Sequence, residues 1–138
     1  MPYELRDHTA DVGIEATGAT LSETFAALAD GMAAAMCDDV PPIGDRFDVQ
    51  VAAESREALL FDYLDELIYE RDVRNVLPVE NDATVNRHRQ ADDWRLDGSA
   101  RGVPLEEIDA REVKAVTYSE MQIEETSDGW RAYVVVDV

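Results

Sequence analysis

The stretch His8-Thr9-Ala10-Asp11-Val12-Gly13 and the final stretch Tyr133-Val134-Val135-Val136-Asp137-Val138 decide how this chain is organised. From Asp11 onward, apolar residues alternate with polar or small ones, which predicts a strand that begins with an acid. The final stretch is apolar at both parities, which predicts a strand inside a sheet, covered on both faces. We expect these two stretches, one near each end of the chain, to meet in the folded protein.

Two stretches between them have the periodicity of amphipathic helices. The first follows a capping box at Thr20-Leu21-Ser22-Glu23 and must end before Pro41-Pro42. The second follows a cap at Ser55. Their apolar faces are formed by Leu21, Phe25, Leu28, Met32 and Met36 in the first helix and by Leu59, Leu60, Tyr63, Leu64, Leu67 and Ile68 in the second.

The remaining segments alternate as strands do, and Pro78 indicates an edge strand or a bulge. The stretch 102–109 is predicted to be a connection. The order is therefore ββαβα followed by four or more strands. This order predicts an α+β fold, with two helices packed on a largely antiparallel (mixed) β-sheet, in one domain spanning residues 1–138. The predicted strands after the first two cover residues 47–51, 76–79, 83–87, 94–100, 113–117, 121–123 and 130–136.

Composition limits the cellular context. The 138 residues can bury one real core, and 46% of them are hydrophobic. No apolar run is long enough to span a membrane, and the first residues lack the pattern of a secretory signal. Cys37 is the single cysteine, which fits a reducing compartment. We expect a cytoplasmic protein that does not associate with membranes.

The net charge of −19 argues against direct, general nucleic-acid binding, which depends on Lys and Arg. The nearest approach to a basic patch, Arg87-His88-Arg89, is interpreted as an exposed strand face. Eleven of the twelve basic residues are arginine, and Lys114 is the sole lysine. Because an ammonium and a guanidinium are not interchangeable, a specific role for Lys114 is favoured over that of an ordinary exposed lysine.

The acids at the two ends of the chain indicate a cation site. Asp11, Asp137 and the α-carboxylate of Val138 could supply three carboxylate groups to a hard cation such as Ca²⁺ or Mg²⁺. If the last strand is central, Asp137 and the Val138 carboxylate are held close together and repel each other. A cation or the ammonium of Lys114 would neutralise them.

The chain contains no Gly-rich phosphate loop, Gly-x-Ser-x-Gly or His-Glu-x-x-His motif and no paired cysteines. Three interpretations of His8 remain open: it orients Asp11, it ligates a metal, or it forms a hydrogen bond with nearby backbone. A metal-dependent hydrolase using Asp11, Asp137 and His8 is one alternative function. A general chaperone is another, and it would need a large exposed apolar surface.

Four motifs together, from end to end of the chain, resemble those of the archease family. This resemblance implies a small α+β protein that is not an enzyme itself. It implies a cofactor of the GTP-dependent tRNA-splicing RNA ligase, which promotes guanylylation of the ligase's active-site histidine and its multiple turnover. The motifs are His8-Thr9-Ala10-Asp11-Val12-Gly13, Gly18-Ala19-Thr20-Leu21-Ser22-Glu23, Lys114-Ala115-Val116-Thr117-Tyr118 and Val135-Val136-Asp137-Val138.

The resemblance also implies roles for individual residues. Asp11, Asp137 and Val138 match the positions of a cation site reported with Ca²⁺, for which Mg²⁺ and Mn²⁺ are alternatives. Lys114, together with Asp11, is implied in activation of the partner. One departure is Ser119, which stands where some relatives have a histidine, so any role of that histidine is lost here.

An acidic, lysine-poor composition is typical of proteins from a salt-rich cytosol, as in haloarchaea, because salt screens self-repulsion of the surface. We therefore expect the melting temperature to rise as KCl is added to a dilute buffer, measured by thermal denaturation monitored by circular dichroism. A melting temperature that does not rise with KCl would contradict this expectation.

Overall fold

The computed structural model describes residues 2–7 and 11–138. The described residues form an α+β fold, and the order of elements is the one that the sequence predicts. Two helices, α1 (Leu21–Met36) and α2 (Arg56–Arg74), are present. The strands are β1 (Tyr3–Asp7), β2 (Asp11–Gly18), β3 (Asp45–Ala53), β4 (Val76–His88), β5 (Asp93–Pro104), β6 (Ala115–Thr126) and β7 (Gly129–Asp137).

The strands divide into two sheets. The first has the order β1-β2-β7-β6 and the second the order β3-β5-β4. All neighbouring strands are antiparallel. The α+β class is thus confirmed, and the division into two sheets is new, because local periodicity does not specify which strands pair. β7 lies inside the first sheet, as predicted, and residues 132–136 of it are buried.

Each helix begins at the side-chain cap that the sequence indicates. Thr20 Oγ1 accepts a hydrogen bond from the Glu23 backbone N–H at 3.1 Å. The Glu23 carboxylate accepts one in return, at 3.0 Å, from the backbone N–H of Ala19, one residue before the expected partner. Ser55 Oγ accepts from the Ala58 N–H at 3.1 Å. These contacts satisfy N–H groups that have no partner within the helix.

The helices connect the two sheets. α1 packs on β1, β2 and β7 of the first sheet and on β4 of the second. α2 packs on β3, β4 and β5 of the second sheet and on β6 of the first. The buried apolar side chains, including Phe25 and Leu28 of α1 and Leu60 and Leu64 of α2, form one continuous cluster. Among the described residues, no helix has both the length and the apolar composition needed to cross a membrane.

Two predicted breaks are bulges within longer strands. β4 is a single edge strand whose register shifts between Val79 and Asp82, where Glu80 has a φ of 48°. This confirms the reading of Pro78 as a mark of an edge or a bulge. β6 shifts similarly between Thr117 and Gln122.

The prediction that residues 102–109 form a connection is wrong for its first residues. β5 continues to Pro104, because Gly102 and Val103 pair with the start of β4 and the Val103 side chain is fully buried. The connection begins only after Pro104.

Asp30 of α1 holds the β4 bulge. Its Oδ1 accepts hydrogen bonds from the backbone N–H and from Nδ2 of Asn81, both at 2.9 Å. Burial raises the pKa of Asp30, and the negative charges of Asp82 and Glu80 raise it further. The folded state therefore binds the Asp30 proton more tightly than the unfolded state, and this carboxyl contributes less stability as the pH rises through its folded-state pKa.

We expect Asp30→Asn to raise the melting temperature at neutral pH, because it removes the buried charge and keeps one oxygen to accept both hydrogen bonds. The gain should shrink as the pH falls through the folded-state pKa of Asp30. Thermal denaturation across a pH series measures this. The matched control is Asp48→Asn on an exposed position of β3, which should change little. A lower melting temperature for Asp30→Asn at neutral pH would refute the expectation.

Candidate functional site

The register of β2 and β7 brings two acids together. Asp11 lies directly opposite Asp137 in this antiparallel pair. Directly opposed residues project from the same face, with their Cβ atoms about 5 Å apart. Both residues are half-buried, and Oδ1 of Asp11 is shielded from solvent. The two stretches near the ends of the chain therefore meet as expected, and Asp11 and Asp137 lie opposite each other where they meet.

The apolar faces of the same strands fix this register. Ile14 pairs with Val134 and Ala16 with Ala132, and these side chains, each at most 1% exposed, pack into the core. If the register of β2 against β7 slipped by one residue, the buried side chains of the shifted strand would face solvent. Burial of one face thus determines which residues meet on the other, where Asp11 is.

Lys114 lies beside Asp137 through the backbone. Its N–H donates to the carbonyl oxygen of Asp137 at 2.7 Å. β6 begins at the next residue, Ala115, which is opposite Asp137 in the sheet. The Lys114 residue is exposed. Asp11 and Asp137, predicted as cation ligands, and Lys114, predicted to act in activation, thus come from three adjacent strands or strand ends.

Arg71 fixes the segment that leads into Lys114, and sequence reasoning did not single it out. This α2 residue is 7% exposed, and its Nη1 donates to the carbonyl oxygen of Val113 at 2.8 Å. Its Nε pairs with Asp72 at 2.9 Å, which compensates its charge. Arg71 lies three residues after Ile68 on the apolar face of α2, and an arginine in an apolar stripe was the available signal.

Val138 and His8 complete the predicted set. Val138 follows Asp137 and lines a cavity of about 110 Å³ on the inner side of the sheet. His8 lies outside the described residues. Within 2–7 and 11–138, no three His, Cys, Asp or Glu side chains are grouped so that they could hold a metal ion. A cation at Asp11 and Asp137 would therefore require further oxygen ligands. The cavity is lined by Leu5, Val12, Ala35, Arg111 and Val138.

Gly13 has a steric role next to Asp11. A Cβ atom built on Gly13 would collide with the hydroxyl and ring of Tyr133. On β7, Tyr133 lies two residues before Val135, the residue that pairs with Gly13. Tyr133 is 8% exposed, so its ring is held against the strand. The glycine of the first motif thus makes room for a tyrosine of the last strand.

An arginine connects three strands on the same face. Arg131 of β7 forms ion pairs with Glu15 of β2 and, at 3.0 Å, with Glu124 of β6. The hydrogen bond to Glu15 and the charges of both glutamates raise the pKa of Arg131. Ion pairing across β2, β7 and β6 supports the sheet that carries Asp11 and Asp137.

The model of the archease protein family matches residues 3–138 of this chain. The chain belongs to the archease family. It is 37% identical to the protein archease of Thermococcus gammatolerans, over 99% of this chain and 98% of that protein. It is 35% identical to the protein archease of Pyrococcus furiosus, with the same coverage. An archease-like protein of Drosophila melanogaster is 30% identical, over 100% of this chain and 91% of that one.

Two solved structures have a similar fold. The solution structure of protein 1598 of Methanobacterium thermoautotrophicum has a TM-score of 0.79 at 32% identity, covering 99% of both chains. The crystal structure of an archease from Thermotoga maritima, described as a possible chaperone, has a TM-score of 0.56 at 19% identity. It covers 98% of this archease and 96% of that chain, and it supports the fold alone.

We expect Gly13→Ala to destabilise this archease by about 1–3 kcal/mol, because overpacking a filled position forces the Tyr133 ring to move. Denaturant unfolding measures the change. Thr17→Ala, on the same strand and exposed, is the matched control and should cost less than about 0.5 kcal/mol.

A second step tests the cause. In a Tyr133→Ala background, the cost of Gly13→Ala should largely disappear, because the colliding ring is gone. Equal costs of Gly13→Ala with and without the Tyr133 ring would refute the steric explanation.

Proposed function

We propose that this archease activates the GTP-dependent tRNA-splicing RNA ligase, promoting guanylylation of the ligase's active-site histidine and its multiple turnover in tRNA splicing and RNA repair. In this proposal the archease is a non-catalytic protein cofactor. The observation that carries it is the meeting of Asp11, Asp137 and the Lys114 backbone at one end of the strands of the first sheet, in a chain that matches the archease family over residues 3–138.

We propose that Asp11 and Asp137, with the α-carboxylate of Val138, hold a divalent cation. Ca²⁺ is the first choice, and Mg²⁺ and Mn²⁺ are alternatives. The donor set fits such an ion, since carboxylate oxygens are the ligands that hard cations prefer. When bound, the cation would offset phosphate charge near the reacting nucleotide. Ca²⁺ takes six to eight oxygen ligands, so water or the partner would supply the others.

The residues of this chain contribute in distinct ways. Asp11 and Asp137 place negative charge at a fixed point, because their strands are anchored by the buried rows beneath them. Lys114 is an exposed residue whose backbone N–H is bonded to Asp137, and Arg71 holds the residue before it, Val113. Such a fixed arrangement of charges could favour the conformation of the ligase that accepts GTP, since preorganised charge need not reorganise when phosphate charge develops. His8 is proposed as a supporting residue only.

The decisive test is formation of the covalent ligase–GMP adduct with purified ligase, GTP and Mn²⁺ or Mg²⁺ in high KCl. Sub-stoichiometric archease should increase both adduct formation and turnover. Any affinity tag belongs at the N-terminus, because a C-terminal tag would move the negative charge away from Val138.

We expect Asp11→Asn to lower the stimulation by about tenfold or more, because it removes one charge without changing the side-chain shape. Lys114→Arg should also lower it, since a guanidinium does not replace a compact ammonium. The matched control, Asp48→Asn on β3 in the other sheet, should stimulate like the wild type. Full stimulation by a folded Asp11→Asn protein would contradict the proposal.

The alternatives give different outcomes in the same assays. A metal-dependent hydrolase would turn over a phosphate ester without the ligase. A general chaperone would suppress aggregation of unrelated unfolded proteins and would not require Asp11. Either result, without stimulation of a ligase that is demonstrably active, would replace the proposed function.

A further inference from the structure

Large hydrophobic side chains are exposed along one side of α2. Among the described residues, the three most exposed large hydrophobic side chains are Tyr69 at 58%, Val73 at 62% and Tyr118 at 54%. Tyr69 and Val73 lie one turn apart on α2, and Tyr118 lies on β6, which packs against this helix. Exposed apolar groups that are gathered on one surface, rather than scattered singly, are typical of interaction sites.

The same side of α2 carries carboxylates. Asp62, Glu66, Tyr69 and Val73 recur at steps of four and three, and Asp65 lies four residues before Tyr69, so all five share one stripe of the helix. The opposite side of α2 is the buried apolar face. We call the stripe together with Tyr118 the acidic aromatic face.

Tyr118 is exposed but held in place. Its ring stacks on that of Phe61, with centroids 4.3 Å apart and planes 3° from parallel. Phe61 is partly buried against the core. The bulge in β6, where Glu120 has a φ of 62°, follows directly. An aromatic side chain that is fixed before binding loses little entropy when a partner covers it, which is the property of a good anchor.

The carboxylates of this face repel one another. Burial and the charge of Asp65 raise the pKa of Asp62. Burial and the neighbouring Glu70 raise the pKa of Glu66. Arg71, the next basic residue along the helix, is buried and pairs with Asp72, and Arg74 pairs with Glu70 at 2.9 Å and lies outside the stripe. A positively charged partner would relieve this repulsion, whereas a second copy of a chain with a net charge of −19 would increase it.

We propose that the acidic aromatic face docks a basic surface of the RNA ligase, an inference that rests on the proposed function. An enzyme that binds RNA and GTP must present Lys and Arg to phosphates, so its surface near the active site complements the charge of this face. Tyr118 lies on β6, four residues after Lys114, which immediately precedes this strand. Docking here would therefore bring the strand ends with Lys114, Asp137 and Asp11 toward the ligase.

The apolar part of the proposal is tested by a double variant, Tyr69→Ser with Val73→Ser. Its affinity for the ligase, measured by titration calorimetry in high KCl, should fall by about tenfold, because two exposed anchors are lost. Ile43→Ser is the matched control: Ile43 is also an exposed large hydrophobic residue, at 41%, but it lies in the connection between α1 and β3. It should bind within about twofold of the wild type. Circular dichroism confirms that each variant is folded.

The electrostatic part is tested by Asp65→Lys against Asp48→Lys, two exposed positions that undergo the same charge reversal. Asp65→Lys should weaken ligase binding by about fivefold or more in dilute salt, and the loss should shrink as KCl screens the charges. Equal losses for the two variants would mean that net charge, and not this face, controls binding.

Four outcomes separate the inference from the function. Loss of ligase binding in the face variants with normal Ca²⁺ binding, measured separately, supports the docking face. If the double variant binds the ligase as tightly as the wild-type protein and stimulates it equally well, the inference is overturned and the proposed function stays intact. Wild-type protein that neither binds nor stimulates an active ligase overturns both. If the protein binds reduced, unfolded lysozyme, a basic chain, through this face as tightly as it binds the ligase, ligase docking is overturned in favour of a chaperone-like surface.

Discussion

The pairing of β2 with β7 is the constraint on which the rest of the structure depends. It joins a strand near the start of the chain to the last strand, closing a loop that contains both helices and the entire second sheet. The entropy lost in such a closure grows slowly with loop length, so buried contacts can compensate for it. Ile14, Val134 and Val136, which have no exposed surface, provide those contacts. The same register that buries them sets Asp11 against Asp137.

The candidate site is therefore a consequence of core packing. Its acids lie on the outer face of strands whose inner face is dry, so neither strand can shift without exposing apolar surface. Gly13 accommodates the Tyr133 ring. Arg71 of α2 fixes the backbone just before Lys114 by donating a hydrogen bond to the carbonyl oxygen of Val113. These contacts come from distant parts of the chain and converge on one end of the strands of the first sheet, which is the kind of rigid support that a charged site requires.

β6 connects the two surfaces of interest. Its first residues run beside Asp137, and its bulge displays Tyr118 next to α2. A protein that acts on a partner must both hold that partner and direct chemical groups at it. In the proposed arrangement, an acidic helix face provides attraction and apolar anchors, and the neighbouring strand ends provide the carboxylates and the ammonium. Acidity that disfavours nucleic acid as a direct ligand thus favours a basic protein that handles nucleic acid.

Local periodicity and capping residues were sufficient to predict both helices, most strands and the central position of β7, because these features depend on neighbours in sequence. The motifs also predicted the family and named Asp11, Asp137 and Lys114. Only the tertiary structure decided that the strands form two sheets, that β4 and β6 continue through bulges, and that Arg71 and Tyr133 support the site. Those features depend on which distant backbone groups pair and which side chains collide. Pairing of this kind is selected by burial of the whole core, and no single segment of the sequence contains it.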